Sequence, residues 1–198
     1  MRASSSANTP FDKVHRFYDA YMHIFGFYRQ KLIARLMNLK GDEIVVDLGG
    51  GTGQVSRYLA PMGGKVYVLD ESLGMLSHIR GQDSVKLLHG DALDTPFPRA
   101  FFDIAVCSDL LHHVADLKGL LKEVYRILKP RGRLLVYDFD IDYFRTKLSR
   151  WFEQKLFGKV YFRRRVEVES TLKNLGFSRR DEIIRDYWYI IVWRKRDA

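Results

Sequence analysis

Asp47-Leu48-Gly49-Gly50-Gly51-Thr52-Gly53 packs an acid and four glycines into seven residues. Glycines at this density let a backbone turn sharply and approach a ligand with no Cβ in the way. Acids recur further on, at Asp70 with Glu71 and at Asp91 beside Ala92. An acid about twenty residues past a glycine turn is placed to accept hydrogen bonds from ribose hydroxyls. Ser108 and then His112-His113 follow. A histidine titrates near pH ~6.5, so either imidazole could take a proton from a reacting group. The competing reading packs one histidine beside a ligand and leaves the other as a cap or in solvent. Asp138 and Asp140 are second candidates for a base. Cys107 reads as a small buried hydrophobe, because Ala105-Val106-Cys107 has the look of strand interior. No metal site is expected: adjacency should point the two imidazoles apart, and there are no partner cysteines.

These residues sit at the ends of apolar runs. Ile44-Val45-Val46 predicts a strand buried on both faces. Val55, Tyr58, Leu59 and Met62 predict a helix after the glycines, whose free N–H groups should face the ligand. Strands follow at 65–69, 85–89, 102–107 and 133–139. Between the last two, Leu117, Leu120, Leu121, Val124 and Leu128 mark a core-facing helix that Lys129-Pro130-Arg131-Gly132 should end. Val166, Leu172 and Leu175 predict another helix, stopped by Gly176. Strands at 178–185 and 187–194, with Asp186 near the turn, complete the chain. Alternating strands and helices make an α/β protein. The dinucleotide fingerprint fails because Gln54 stands where its third glycine should be, and a P-loop fails because no lysine lies between Lys40 and Lys65.

Asp47 to Gly53 resembles motif I of the class I S-adenosylmethionine-dependent methyltransferases. Val68 to Leu76 is similar to their D-x-S-x-x-M-L segment, and Gly90-Asp91-Ala92, His112-His113 and Leu128-Lys129-Pro130-Arg131-Gly132 follow in the order of that family. The resemblance covers roughly residues 42 to 139 and implies a Rossmann-like, doubly wound, seven-stranded sheet, mostly parallel, with an antiparallel last strand beside the fifth. It implies S-adenosylmethionine as cofactor and S-adenosylhomocysteine as product. Asp47 would then help hold the amino-acid end, directly or through water, beside Gly49, Gly51 and Gly53. Asp70 and Glu71 would lie at the ribose, Asp91 and Ala92 at the adenine amine, and Ser108 along the methionine moiety. The opening Phe11-Asp12 and Tyr18-Asp19 resembles the ubiquinone/menaquinone-biosynthesis C-methyltransferases, which implies a segment folded over the cofactor with Tyr18 lining the site. For most of Phe11, Phe17, Tyr18, Tyr21, Phe25, Phe27 and Tyr28, an amphipathic helix packed on the sheet is the plainer reading. Those enzymes carry an Arg-Asn type segment after the fourth strand, whereas this chain has Cys107 to His113, which points to the broader small-molecule branch.

The expected activity is methyl transfer to a small, apolar or lipid/quinone-like acceptor. Two alternatives stand beside it: a cofactor-binding scaffold without turnover that acts through a basic C-terminal surface, and a nucleic-acid methyltransferase. The intact acids and glycines speak against the first. The lack of an Asn/Asp-Pro-Pro-aromatic motif after the fourth strand speaks against the second. With 198 residues, 46% hydrophobic, the chain suits one core. No apolar stretch approaches the ~20 residues that span a bilayer. Residues 1–10 read as a flexible tail with no signal-peptide core, and the lone cysteine suits a reducing cytoplasm. Residues 11–198 read as one domain: a helical cover at 11–40, a cofactor core at 42–139 and a basic aromatic lid at 140–165. Of the net charge of +9, nearly all lies in residues 145–198, with 15 basic residues against seven acidic. There Trp151, Phe152, Phe157, Tyr161 and Phe162 interleave with Arg150, Lys155, Lys159, Arg163, Arg164 and Arg165. A solvated helix face, a peripheral surface for anionic membrane and a nucleic-acid surface are the three readings.

Overall fold

The computed structural model describes residues 9–24, 26, 28–62, 64–80 and 84–197, without the side chain of Tyr21. Residues 1–8 of the expected tail, Phe25, Phe27 and the Tyr21 ring lie outside the described residues. The strands are β1 (Ile44–Leu48), β2 (Lys65–Asp70), β3 (Val85–His89), β4 (Phe102–Ser108), β5 (Leu128–Phe139), β6 (Phe177–Ile184) and β7 (Trp188–Lys195). They form one sheet in the order β3-β2-β1-β4-β5-β7-β6. The first five run parallel, and β7 is antiparallel to both β5 and β6. This is the topology the resemblance implies.

The β-branched runs explain the sheet, because successive residues feed opposite faces. Val45, Val66, Val68, Ile104, Val106, Ile190 and Val192 pack with Ile33 and Met37 of α2 (Gln30–Met37). Val46, Leu48, Ala105, Cys107, Ile191 and Trp193 pack with α5 (Leu117–Ile127) and with Val168 and Leu172 of α7 (Arg165–Asn174). Cys107 is fully buried, and burial raises its thiol pKa far above the usual range. The remaining helices are α1 (Pro10–Ile24), α3 (Gln54–Leu59), α4 (Leu73–Leu76) and α6 (Phe144–Phe157). A capping box starts α1: Thr9 Oγ1 accepts from the Asp12 N–H at 3.3 Å, and Asp12 Oδ2 from the Thr9 N–H at 2.8 Å.

Three local expectations are corrected. Lys129 to Gly132 do not form a helix end; α5 stops at Ile127 and these residues bulge out of β5, where the register jumps from Phe102↔Leu128 to Ile104↔Arg133. Proline drives the residue before it out of helical geometry, and Lys195 Nζ takes up the stranded carbonyls of Tyr125 and Leu128 at 2.7 Å each. Tyr58 and Met62 are exposed, because α3 gives way at Leu59 to a 3₁₀ turn around Pro61. Val166 is exposed as well, and Val168 takes the core position expected of it.

Candidate functional site

Asp47 is fully buried at the end of β1. Its Oδ2 accepts from Ser56 Oγ at 2.5 Å, while Oδ1 is buried without a hydrogen-bond partner. Burial pushes its pKa up to about 7, against the opposing hydrogen bond from Ser56. Four N–H groups of the glycine loop are spent within the protein. Gly49 and Gly50 donate to Leu69 O, Gly51 to Asp70 Oδ2 at 2.8 Å and Gly53 to Gly50 O. The loop is thus braced by its own acceptors, and what it offers a ligand is shape. At Gly51, with φ of +54°, a Cβ would meet nothing nearer than Tyr18 Cε1 at 4.0 Å. Gly53 has a packing role, since a Cβ there would run into the Ile79 side chain at 2.6 Å.

The two aspartates of the opening motif pin α1 over this loop. Asp12 Oδ1 accepts from Ser72 Oγ at 2.6 Å and from the Gly74 N–H at 2.9 Å, across the β2–α4 turn. These bonds outweigh burial and draw its pKa down to about 2. Two helical turns on, Asp19 accepts from Tyr28 Oη at 2.5 Å, Thr52 Oγ1 at 2.5 Å and Gln54 Nε2 at 2.8 Å. Gln54, where a dinucleotide fingerprint would need glycine, therefore anchors the covering helix. Phe11 and Tyr18, each beside one of these acids, face a cavity.

That cavity is an open cleft at the carboxyl ends of β1 to β4, where open α/β sheets bind ligands. Gly49, Gly51, Asp70, Glu71, Asp91 and Ala92 line it together with Phe11, Tyr18, Asp109, Leu110, His113 and Val114. Both Asp70 oxygens are engaged, Oδ1 by the Ser72 N–H at 2.9 Å and Oδ2 by Gly51. Burial raises its pKa despite these bonds; Glu71 is raised too, by burial and then by Asp70 and Asp91. Asp91 Oδ1 accepts from the Leu93 N–H at 2.8 Å. A smaller compartment adjoins, lined by Asp47, Thr52, Gln54, Ser108 and Tyr137, and it shares Tyr18, Gly49, Gly51 and Asp109 with the first. The structure thus gathers Tyr18, Asp47, Gly49, Gly51, Asp70, Glu71, Asp91, Ala92 and Ser108 around two joined spaces. Gly53 and His112 line neither.

The two histidines part company chemically. His112, on the 3₁₀ turn after β4, is 2% exposed. Its Nδ1 lies 2.8 Å from Asp138 Oδ1, its Nε2 3.2 Å from Glu153 Oε2, and Phe162 stacks on its ring at 4.4 Å. Burial alone would lower its pKa, but Asp138 and Glu153 raise it well above 6.5, so it is an imidazolium. His113 is driven the other way, well below 6.5, by burial and by the charge of His112, and stays neutral on the cavity wall. The rings do not point apart as expected: their centroids are 4.1 Å apart. With Glu153 they form a set of donors within 4.8 Å of one another, in which the imidazolium is itself the cation. Asp138 also accepts from the Phe139 N–H, so it orients His112 from within the core. Asp140 caps the turn to Asp142, and its backbone pairs with that of Arg163 in an isolated β-bridge.

The sequence reading passed over three contributors. Asp109 holds φ at +60°, uncommon for a non-glycine residue, and stands where the two compartments meet. Burial raises its pKa, opposed by His112 and reinforced by Glu153 and Asp138, while Tyr18 Oη donates to it at 3.4 Å. Glu153, from α6, is buried against His112; a lone acid opposite the exposed face of a basic helix was its available signal. Arg163 donates to the carbonyls of Leu111, Val114 and Ala115 at 2.7, 2.7 and 2.9 Å, clasping the loop that carries both histidines.

The methyltransferase-domain family matches residues 46–136. A demethylmenaquinone methyltransferase of Geobacillus sp. is 31% identical over 194 residues, covering 87% of this chain and 82% of that protein. The demethylmenaquinone methyltransferase of Clavibacter sepedonicus is 39% identical over 101 residues, 49% of this chain and 41% of its own. The chain spans about half the length of several such curated relatives. Among solved structures, a chain from the Haloferax volcanii complex of the Trm112 methyltransferase activator with a methyltransferase superposes with a TM-score of 0.82. It is 19% identical, with 96% of this chain and 99% of that one covered, a likeness of fold.

Proposed function

The chain belongs to the class I S-adenosylmethionine-dependent methyltransferase family, and from that premise we propose that it methylates a small, apolar, quinone-like acceptor. One observation carries the reading: two compartments meet at Tyr18 and Asp109, the larger lined by Asp70, Glu71 and Asp91 of the nucleoside end and by the Phe11, Tyr18 and His113 rings, the smaller by Asp47 and Ser108 of the amino-acid end. The fit to the cofactor rests on the orphaned Asp47 Oδ1, which suits an ammonium group, and on the open face at Gly51. Asp70, Glu71 and Asp91 would hold the adenosine end; Ser108 and Asp47 would hold the amino-acid end. When bound, S-adenosylmethionine supplies an electrophilic methyl group.

The chain has to align the acceptor, exclude water and manage one proton. Phe11 stacks on Phe157 at 4.8 Å and meets His113 edge-on at 5.0 Å, a rigid apolar wall for a flat ring. Asp109, at the junction, takes the proton of an acceptor hydroxyl, its raised pKa bringing it toward working pH. Neutral His113 can accept a hydrogen bond beside it. His112, already protonated, serves as a fixed cation that orders Asp109, Asp138 and Glu153. It is a positioning group in this reading. The relatives named for demethylmenaquinone support a quinol as the acceptor class, as does the apolar wall.

Calorimetric titration with S-adenosylmethionine, S-adenosylhomocysteine and NAD, followed by transfer of labelled methyl to a panel of reduced quinones, tests this. Micromolar binding of both sulfur ligands and label in a quinol are expected. Binding of NAD alone, or label in no quinol despite tight cofactor binding, would overturn the cofactor or the acceptor assignment respectively.

A further inference from the structure

Helix α6 has two working faces. Inward, Thr146, Glu153 and Phe157 are buried, and Phe157 and Glu153 reach the cavity wall and His112. Outward, Phe144, Leu148, Phe152 and Leu156 form an unbroken i, i+4 row with Trp151 beside it, each 42% to 77% exposed. Single exposed apolar residues are ordinary, but five large ones on one helical face are not. Arg145, Lys147, Arg150, Lys155 and Lys159 are exposed around the row, and the sole acid between 144 and 159, Glu153, is buried on the other side. Lys155 Nζ lies 3.8 Å above the Trp151 ring, its stem along the apolar face and its charge at the edge.

We propose that the outer face of α6 docks peripherally on an anionic phospholipid bilayer, with the apolar row at the acyl boundary and the cations among the head groups. The run Arg163-Arg164-Arg165 is not that surface. Arg163 is spent on backbone carbonyls, Arg164 pairs with Asp142 at 3.0 Å, and Arg165 pairs with Glu169. Charge selects the occupant, because a second copy of α6 would bring like cations together, whereas anionic head groups complement them. Among the described residues no helix is long and apolar enough to cross a membrane, so the contact is peripheral. Docking would set the aromatic wall formed by Phe157 and Phe11 beside the bilayer, where an apolar acceptor resides. Only that last link rests on the proposed function, and vesicle binding is read without any acceptor.

The test is flotation of the full chain with phosphatidylcholine vesicles made with and without phosphatidylglycerol, repeated with acyl chains brominated. Trp188 and Trp193 are buried, so quenching by bromine reports Trp151. Flotation only with phosphatidylglycerol, quenching of Trp151, and losses of at least about tenfold in Trp151→Ser/Phe152→Ser and in Lys147→Glu/Lys155→Glu are expected. Lys118→Glu/Lys122→Glu, on α5, should bind as wild type. Flotation that survives the Trp151→Ser/Phe152→Ser change, equal binding to neutral vesicles, or a single-stranded RNA complex with no vesicle binding would overturn the proposal. So would a dimer that the same variant dissolves. Vesicle binding without cofactor binding would leave the docking surface standing and remove the proposed function instead.

Discussion

Binding of S-adenosylmethionine should expel a proton from Asp47. The carboxyl is buried with one oxygen unpaired, and its pKa is about 7 against a usual 3.8. Near pH 7, half the molecules of the free protein therefore carry the proton. An ammonium group within hydrogen-bonding reach lowers a carboxyl pKa by roughly 1–3 units, so the bound protein holds Asp47 ionised. About 0.4–0.5 proton should leave per cofactor bound at pH 7. Titrating in buffers of different ionisation enthalpy and plotting observed enthalpy against it gives this number as a slope. Affinity should also rise about five- to tenfold between pH 6 and pH 8, since the ionised form binds better. Asp47→Asn should flatten both dependences and weaken binding. The sign for stability follows from the same shift. A carboxyl whose folded pKa is raised contributes stability that is complete below pH 3.8 and is lost as pH rises through about 7. The free protein should lose up to about 4 kcal/mol over that window from this group, and Asp47→Asn should keep it. A zero slope in wild type, or an unchanged slope in Asp47→Asn, would refute the assignment of Asp47 to the amino-acid end.

Asp70→Ala should weaken S-adenosylhomocysteine binding by about 2 kcal/mol and cost a further 1–3 kcal/mol, roughly, of stability, because the Gly51 and Ser72 N–H groups lose their acceptor. Calorimetry and melting read the two separately; unchanged affinity would remove Asp70 from the cofactor. Arg163→Ala should lower the melting temperature by about 6–12 °C, from three lost hydrogen bonds counted at about 1 kcal/mol each because the partly exposed carbonyls can turn to water. Arg163→Lys should recover only part, since one ammonium cannot span three carbonyls as the guanidinium fork does. Asp109→Asn should remove the rise of kcat with pH on whichever quinol is turned over, while cofactor affinity changes less than about tenfold; an intact pH limb would assign the proton to His113.

What the sequence discloses, and what it hides, follows the range of the interactions. The glycine loop, Asp70 and Asp91 are legible because each lies within a few residues of a strand end, and strand ends are set by local apolar patterning. Phe11-Asp12 and Tyr18-Asp19 are legible as a pattern only: that the acids anchor the helix while the aromatics face the cleft depends on Ser72, Gly74, Thr52 and Gln54, distant in sequence. The histidine pair is harder still. Adjacent, identical side chains end up on opposite sides of pKa 6.5 because β5 brings Asp138 and α6 brings Glu153 into pairing distance of His112, while burial and the His112 charge act on His113. Burial then makes the charged ring the reason its neighbour stays neutral. Asp109 is drawn into the same balance, with burial and two acids raising its pKa and His112 lowering it. The raised pKa at the junction of the compartments is therefore a property of the assembled cluster.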